Sequence, residues 1–146
     1  MQTRLDFREA SPEAVKALIA LEVASSSLGL DADLLNLIKL RASQVNGCAF
    51  CIDLHSADLR KSSEGERRIA GTVAWRETPF FSDRERAALA WTEAVTLVAS
   101  THVPDDVYLE VSKHFEPAEL VELTLAISTI NAWNRMAVSF RKMPAA

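Results

Sequence analysis

The apolar residues of this chain recur at the three- and four-residue intervals of a helix face, and the polar breaks between them divide it into segments. Ser11-Pro12 sets an N-cap and a first-turn proline before Val15, Leu18, Ile19, Leu21 and Val23, and Ser25–Ser27 with Gly29 ends that helix. A second helix starts near Asp31–Asp33 and carries Leu34, Leu37, Ile38, Ala42 and Val45. Asn46-Gly47 stops it with residues suited to a left-handed C-cap. A third helix opens at Cys48 and runs to about Ser62, and a fourth covers Glu64 to Arg76 before Thr78-Pro79 breaks it. Ser82 and Glu85 have the spacing of a capping box, which starts a helix running to about Ser100. Pro104 opens a short amphipathic helix with Val107, Leu109 and Val111, and Glu116-Pro117-Ala118-Glu119 starts a last one reaching about Phe140. Residues 1–10 show no period and are expected to form an N-terminal arm. The pattern predicts an all-α fold of about seven helices in a single domain spanning 1–146.

One internal echo stands out. Leu40, Ser43, Val45 and Asn46 match Leu125, Ser128, Ile130 and Asn131 at an offset of 85, compatible with two related helical halves.

Composition supports this picture and narrows the function. A chain of 146 residues buries roughly 68–70% of its unfolded surface, so its core needs neither metal nor disulfide. Glycine and proline number only 4 and 5, which favours long helices over many short strands. The net charge is −4 and no basic block exceeds Arg67-Arg68, which argues against nucleic acid as a partner. No apolar run approaches the roughly 18 residues of a membrane span. Met1 to Glu13 lacks the apolar centre of a signal peptide, so a cytoplasmic location is expected. In that reducing compartment a Cys-x-x-Cys pair is redox-active or metal-binding more often than structural.

Both cysteines fall in Asn46-Gly47-Cys48-Ala49-Phe50-Cys51-Ile52-Asp53-Leu54-His55. On a helix, Cys48, Cys51 and His55 share one face. A free thiol is only a few per cent thiolate at neutral pH, and the thiolate is the nucleophile. The amino-terminal dipole after Gly47 and the His55 imidazole both favour ionisation. Cys51 lies one turn before His55 and is expected to attack first. Cys48 is close enough to condense with a sulfenic acid at Cys51 and so to resolve it. A Cys2His zinc site completed by His102 or His114, in a redox-sensing or zinc-binding oligomer without enzyme activity, is the alternative from another class.

The segment Leu37 to His55, Trp75 to Phe81, Arg84 to Leu89, and Ile130 to Arg135 resemble the alkylhydroperoxidase AhpD family of the carboxymuconolactone decarboxylase superfamily. The likeness runs from about residue 5 to 140. It implies an AhpD-like helical fold and homo-oligomers such as trimers or hexamers. It also implies reduction of organic or hydrogen peroxide by a peroxidatic Cys51, a resolving Cys48 and a proton-relaying His55. The Cys48–Cys51 disulfide would be the sole redox group, with no haem, flavin or metal. Electrons would come from a lipoylated or thioredoxin-like dithiol protein. The decarboxylase branch, acting on cyclic organic acids, typically lacks the paired cysteines.

One position departs from the pattern. The family often has glutamate twelve residues before the first cysteine, and here that residue is Asn36. An amide can orient an imidazole but cannot accept its proton. Glu93, isolated between Leu89 and Leu97, is the candidate for the missing acid, with a carboxyl pKa expected to be raised by burial. Asn131, Asn134 and Arg135 are expected to be structural, and Trp75, Trp91 and Trp133 to lie in the core or a subunit contact.

Overall fold

A computed structural model describes residues 2–145, and among them every regular element is helical. The helices are α1 (Phe7–Ala10), α2 (Pro12–Ser26), α3 (Ala32–Asn46), α4 (Ala49–Leu59), α5 (Gly65–Thr72), α6 (Asp83–Thr96), α7 (Val98–Thr101), α8 (Asp105–Val111) and α9 (Pro117–Phe140). A 3₁₀ turn spans Trp75–Glu77. The all-α expectation holds, with more helices than the seven expected because three short pieces are separate. The arm contains the single turn α1, whose Phe7 is buried. The segment behind the capping box divides at Leu97, and the short α7 that follows is tied back to α6 by its last residue, Thr101, whose Oγ1 donates to the Ala94 carbonyl at 2.7 Å. The expected helix to Arg76 ends at Thr72. Beyond it, the carbonyls of Trp75, Arg76 and Thr78 accept from the Arg86 guanidinium at 3.0, 3.1 and 3.1 Å instead of extending the helix.

The local signals act as read at most helix ends. Ser82 and Glu85 form a reciprocal capping box at α6, and Glu116 and Glu119 form one at α9. Asp31 caps α3 by accepting from the Leu34 amide at 3.0 Å. Gly47 ends α3 with φ 66° and ψ 32°, in the left-handed region that glycine enters without a Cβ penalty.

The central element is α3, which packs against α4, α6 and α9. Its Leu34, Leu35 and Ile38 meet Ala88 and Trp91 of α6 and Leu123, Ala126 and Ile127 of α9 in the main core. Leu37 faces the other way, onto Trp75, Phe81 and Leu89. Each fully buried leucine or isoleucine contributes about 1.5–3 kcal/mol of hydrophobic stabilisation, which makes α3 the rigid post of the molecule. At its C-terminal end the echo pair is in contact. Asn46 Nδ2 donates to Asn131 Oδ1 at 3.0 Å and to Asn134 Oδ1 at 2.8 Å, and Asn134 Nδ2 donates to Ser43 Oγ at 3.1 Å. The buried amides of Asn131 and Asn134 and the half-buried one of Asn46 satisfy one another and lock the turn at Gly47 against α9. The structural reading of Asn131 and Asn134 therefore stands. Among the described residues, no helix is long and apolar enough to cross a membrane.

Candidate active site at the paired cysteines

The turn at Gly47 delivers Cys48 to the N-cap of α4, where its Sγ accepts from the Cys51 amide at 3.3 Å. Cys51 follows in the first turn and His55 one turn later, so the helical spacing does bring the three together. Cys48 and Cys51 are joined in a disulfide with a Cα–Cα distance of 5.4 Å. All three residues are buried, and the sulfurs pack with Phe50 and with Ala137 of α9.

Cys51 and His55 open onto a cavity of about 290 Å³. Phe50, Leu54 and Trp133 give it an apolar wall, while Asn36, Glu22 and Lys39 stand at its polar side. Trp133 is thus a wall of this cavity and not simply core packing. Asn36 lines this cavity too, although its side chain cannot exchange a proton at neutral pH.

Glu22 on α2 was not singled out from the sequence. Lys39 of α3 is buried and donates from Nζ to Glu22 Oε1 at 2.5 Å and to Ser26 Oγ at 3.1 Å, and Ser26 Oγ donates to Glu22 Oε1 at 2.9 Å. Burial opposes ionisation of Glu22, but the Lys39 hydrogen bond and charge, with help from Ser26, hold its carboxyl below the ordinary range. A sequence signal for the pair did exist. Val15, Leu18, Glu22 and Ser25 fall on one face of α2, so Glu22 occupies an inward position of the heptad. Lys39 interrupts the apolar run Leu37-Ile38-Lys39-Leu40.

His55 is the most perturbed group of the cavity. Burial first, and the Lys39 charge second, bring its pKa from 6.5 down to about 4, against the opposing pull of Glu22 and Asp58. At neutral pH the imidazole is therefore uncharged and only weakly basic. Its Nδ1 is buried without a hydrogen-bond partner.

Glu93 is not in this cavity, and the expectations for it are corrected. Its Oε1 accepts from Arg41 Nε and from Trp75 Nε1, both at 2.8 Å, and its Oε2 pairs with Arg76 Nη1 at 2.8 Å. Burial opposes ionisation, but Trp75, Arg76 and Arg41 together lower its pKa, the reverse of the expected rise. The carboxylate is committed to holding the 3₁₀ turn onto α3. His102 caps α7 and His114 pairs with Glu110, so neither lines a cavity with the cysteines. Among the described residues, no group of three or more His, Cys, Asp or Glu is arranged to hold a metal ion.

Three comparisons bear on this geometry. The family model described as the carboxymuconolactone decarboxylase family matches residues 9–94. The uncharacterized protein YdfG of Bacillus subtilis is 41% identical over 139 residues, covering 95% of each chain. The crystal structure of ATU0492 from Agrobacterium tumefaciens, a protein of unknown function for which an antioxidant-defence role like that of AhpD has been suggested, superposes with a TM-score of 0.96. It is 46% identical, and 99% of each chain is covered. A peroxidase-related protein with an alkylhydroperoxidase AhpD core from Ralstonia eutropha gives a TM-score of 0.81 at 21% identity, over 94% of this chain and 74% of that one. At that identity the likeness is one of fold.

Proposed function

Because the chain belongs to the carboxymuconolactone decarboxylase family, as an AhpD-like member, we propose that it is a cysteine-based peroxidase of the alkylhydroperoxidase type. The observation that carries the reading is the sharing of one cavity by Cys51 and a buried, uncharged His55, with Cys48 already within disulfide reach.

In the reduced protein His55 takes the thiol proton of Cys51. The Cys51 thiolate attacks the terminal oxygen of a hydroperoxide and the O–O bond breaks. Cys51 becomes a sulfenic acid, and the departing alkoxide takes the proton from the His55 imidazolium to leave as an alcohol. Cys48 then attacks Cys51 Sγ as a thiolate. The sulfenic hydroxyl leaves as water with the proton given up by Cys48, and the disulfide closes. Two electrons pass from the thiols to the peroxide. The apolar wall of Phe50, Leu54 and Trp133 suits the organic part of a small hydroperoxide.

Glu22 and Lys39 line the same cavity as His55, while the position at which the family often has its acid is Asn36. Burial is the main brake on the basicity of His55; the Lys39 ammonium adds to it and the Glu22 carboxylate opposes it, so the pair adjusts what burial sets. A dithiol reductant returns the disulfide to thiols, and the working particle is a homo-oligomer, a trimer or hexamer.

Single-cysteine variants test the assignment of roles. In Cys48→Ser, one equivalent of cumene hydroperoxide should give a Cys51 sulfenic acid that dimedone traps. In Cys51→Ser, reactivity towards peroxide should fall to the level of an ordinary thiol. Trapping at Cys48 alone would reverse the two roles, and trapping at neither would remove the peroxidase reading.

A further inference from the structure

The disulfide has two faces. Cys51 lines the cavity with His55, whereas Cys48 lines a different cavity of about 440 Å³ beside the C-terminal end of α9. Three cationic residues, Arg4, Arg141 and Lys142, line this second cavity, and no acidic residue does among those described. Asp6 offsets part of the charge through Lys142, at 3.8 Å. Arg4 is held in place by its backbone amide on the Phe140 carbonyl, at 3.0 Å, and by its Nη1 on the Ser139 carbonyl, at 3.1 Å. Arg141 ends α9 in the left-handed conformation, with φ 54°. The N-terminal arm and the end of α9 thus meet in a positively charged wall next to Cys48 and away from His55.

We propose that this second cavity receives the reductant, that the reductant is a small anionic dithiol, and that it attacks Cys48. The proposal rests on the dithiol cycle above and specifies its recycling step. Thiol–disulfide exchange needs a thiolate to approach one sulfur in line with the bond it breaks. Of the two cysteines only Cys48 lines the cationic cavity, so an attack from that side falls on its sulfur, and the sulfur that leaves is that of Cys51, on the His55 side. The first exchange forms a mixed disulfide between reductant and Cys48 and frees Cys51 as a thiolate. The second thiol of the reductant gives up its proton and attacks its own sulfur in the mixed disulfide. Cys48 leaves as a thiolate, and the reductant departs as a cyclic disulfide, having supplied two electrons and two protons. The order is useful, because the sulfur released first is the one that peroxide must meet. The volume is that of a small-molecule site. The basic lining favours a negative charge on the incoming group.

The test uses oxidised full-length protein and no peroxide, so its failure is distinguishable from failure of the peroxidase reading. Dihydrolipoate and dihydrolipoamide carry the same dithiol and differ by one carboxylate charge. Their rates of disulfide reduction are compared, each divided by its rate on hydroxyethyl disulfide. At about 10 mM ionic strength the anionic form should be faster by about fivefold, the worth of one close charge pair in water. The ratio should approach one at about 1 M salt, and at low salt in Arg4→Gln/Arg141→Gln/Lys142→Gln. Should that variant disturb the arm, the wild-type salt dependence stands without it. Equal normalised rates at low salt would overturn the charge assignment. The attacked sulfur is read by treating oxidised wild type with mercaptoacetate in the presence of iodoacetamide and mapping the products by mass. The adduct belongs on Cys48 and the alkylation on Cys51; the opposite pattern would overturn the proposed direction of attack.

Discussion

Acidification should destabilise the protein through His55 before any carboxylate contributes. The folded imidazole has its pKa depressed from 6.5 to about 4, by burial and then by Lys39. Between those values the unfolded chain binds a proton that the folded chain refuses, so the unfolded state gains as pH falls. The sign is therefore loss of stability on acidification, fully absent above about pH 7 and complete near pH 4. A separation of roughly 2.5 pH units at about 1.4 kcal/mol each makes the loss about 3 kcal/mol, a large part of the stability of an ordinary domain. His55 is buried, so solvent screening takes little from that figure. Glu22 has a lowered pKa and loses its contribution only as pH falls below the ordinary carboxyl range, so the interval from pH 6.5 to 4.5 isolates the imidazole. The assay is urea denaturation of the disulfide form at several pH values, for wild type and for His55→Gln, with slopes checked for constancy. The wild-type midpoint should fall relative to the variant by an amount equivalent to about 2–3 kcal/mol across that interval. If the two lose stability in parallel, His55 is not held neutral by its surroundings, and the electrostatics assigned to the cavity are wrong.

Glu22→Gln removes the carboxylate that favours the imidazolium while leaving Lys39, so the His55 pKa should fall further, and alkylation of reduced Cys51 near pH 7 should slow by about tenfold for each pH unit that it falls. Lys39→Met should move the His55 pKa upwards, and NMR titration of the ring protons that gave the same direction for both variants would dismiss the pair as a tuning device. Glu93→Gln should lower stability by about 1–3 kcal/mol through the loss of its Arg41 and Arg76 pairs, yet leave the pH profile of Cys51 alkylation where it was; a displaced profile would restore Glu93 to the site. A groove of about 670 Å³ between α8 and α9 includes Tyr108 and Val121, which are 50% and 70% exposed, and Val121→Asp should shift a multimer towards smaller species in light scattering. A wild-type monomer at micromolar concentration would reject the oligomer.

Much of this arrangement is legible in the chain because its signals are local. The capping boxes at Ser82 and Glu116, and the stop at Gly47, are each specified within a few residues. The face shared by Cys48, Cys51 and His55 follows from spacing within one helix. What surrounds that face depends on helices distant in sequence, and spacing along α4 does not tell which inward polar residue comes to meet it. Glu93 has a lone-carboxylate pattern, but its partners Arg41 and Trp75 lie 52 and 18 residues away. Glu22 and Lys39 are 17 apart and each looks like a flaw in an apolar face; only the fold, in which α2 and α3 both pack on α9, makes them a pair. Buried ionic groups are costly unless paired, so a charge at an inward heptad position signals that a partner must be sought elsewhere in the chain.

The most direct measurement is a count of thiols in fully reduced protein before and after one equivalent of cumene hydroperoxide, with no reductant present. The peroxidase account predicts the loss of both thiols per peroxide consumed, and a peptide holding Cys48 and Cys51 lighter by two hydrogens, restored on adding a dithiol. Thiols that survive the peroxide, or that are lost only to irreversible sulfonate or to links between chains, would contradict it.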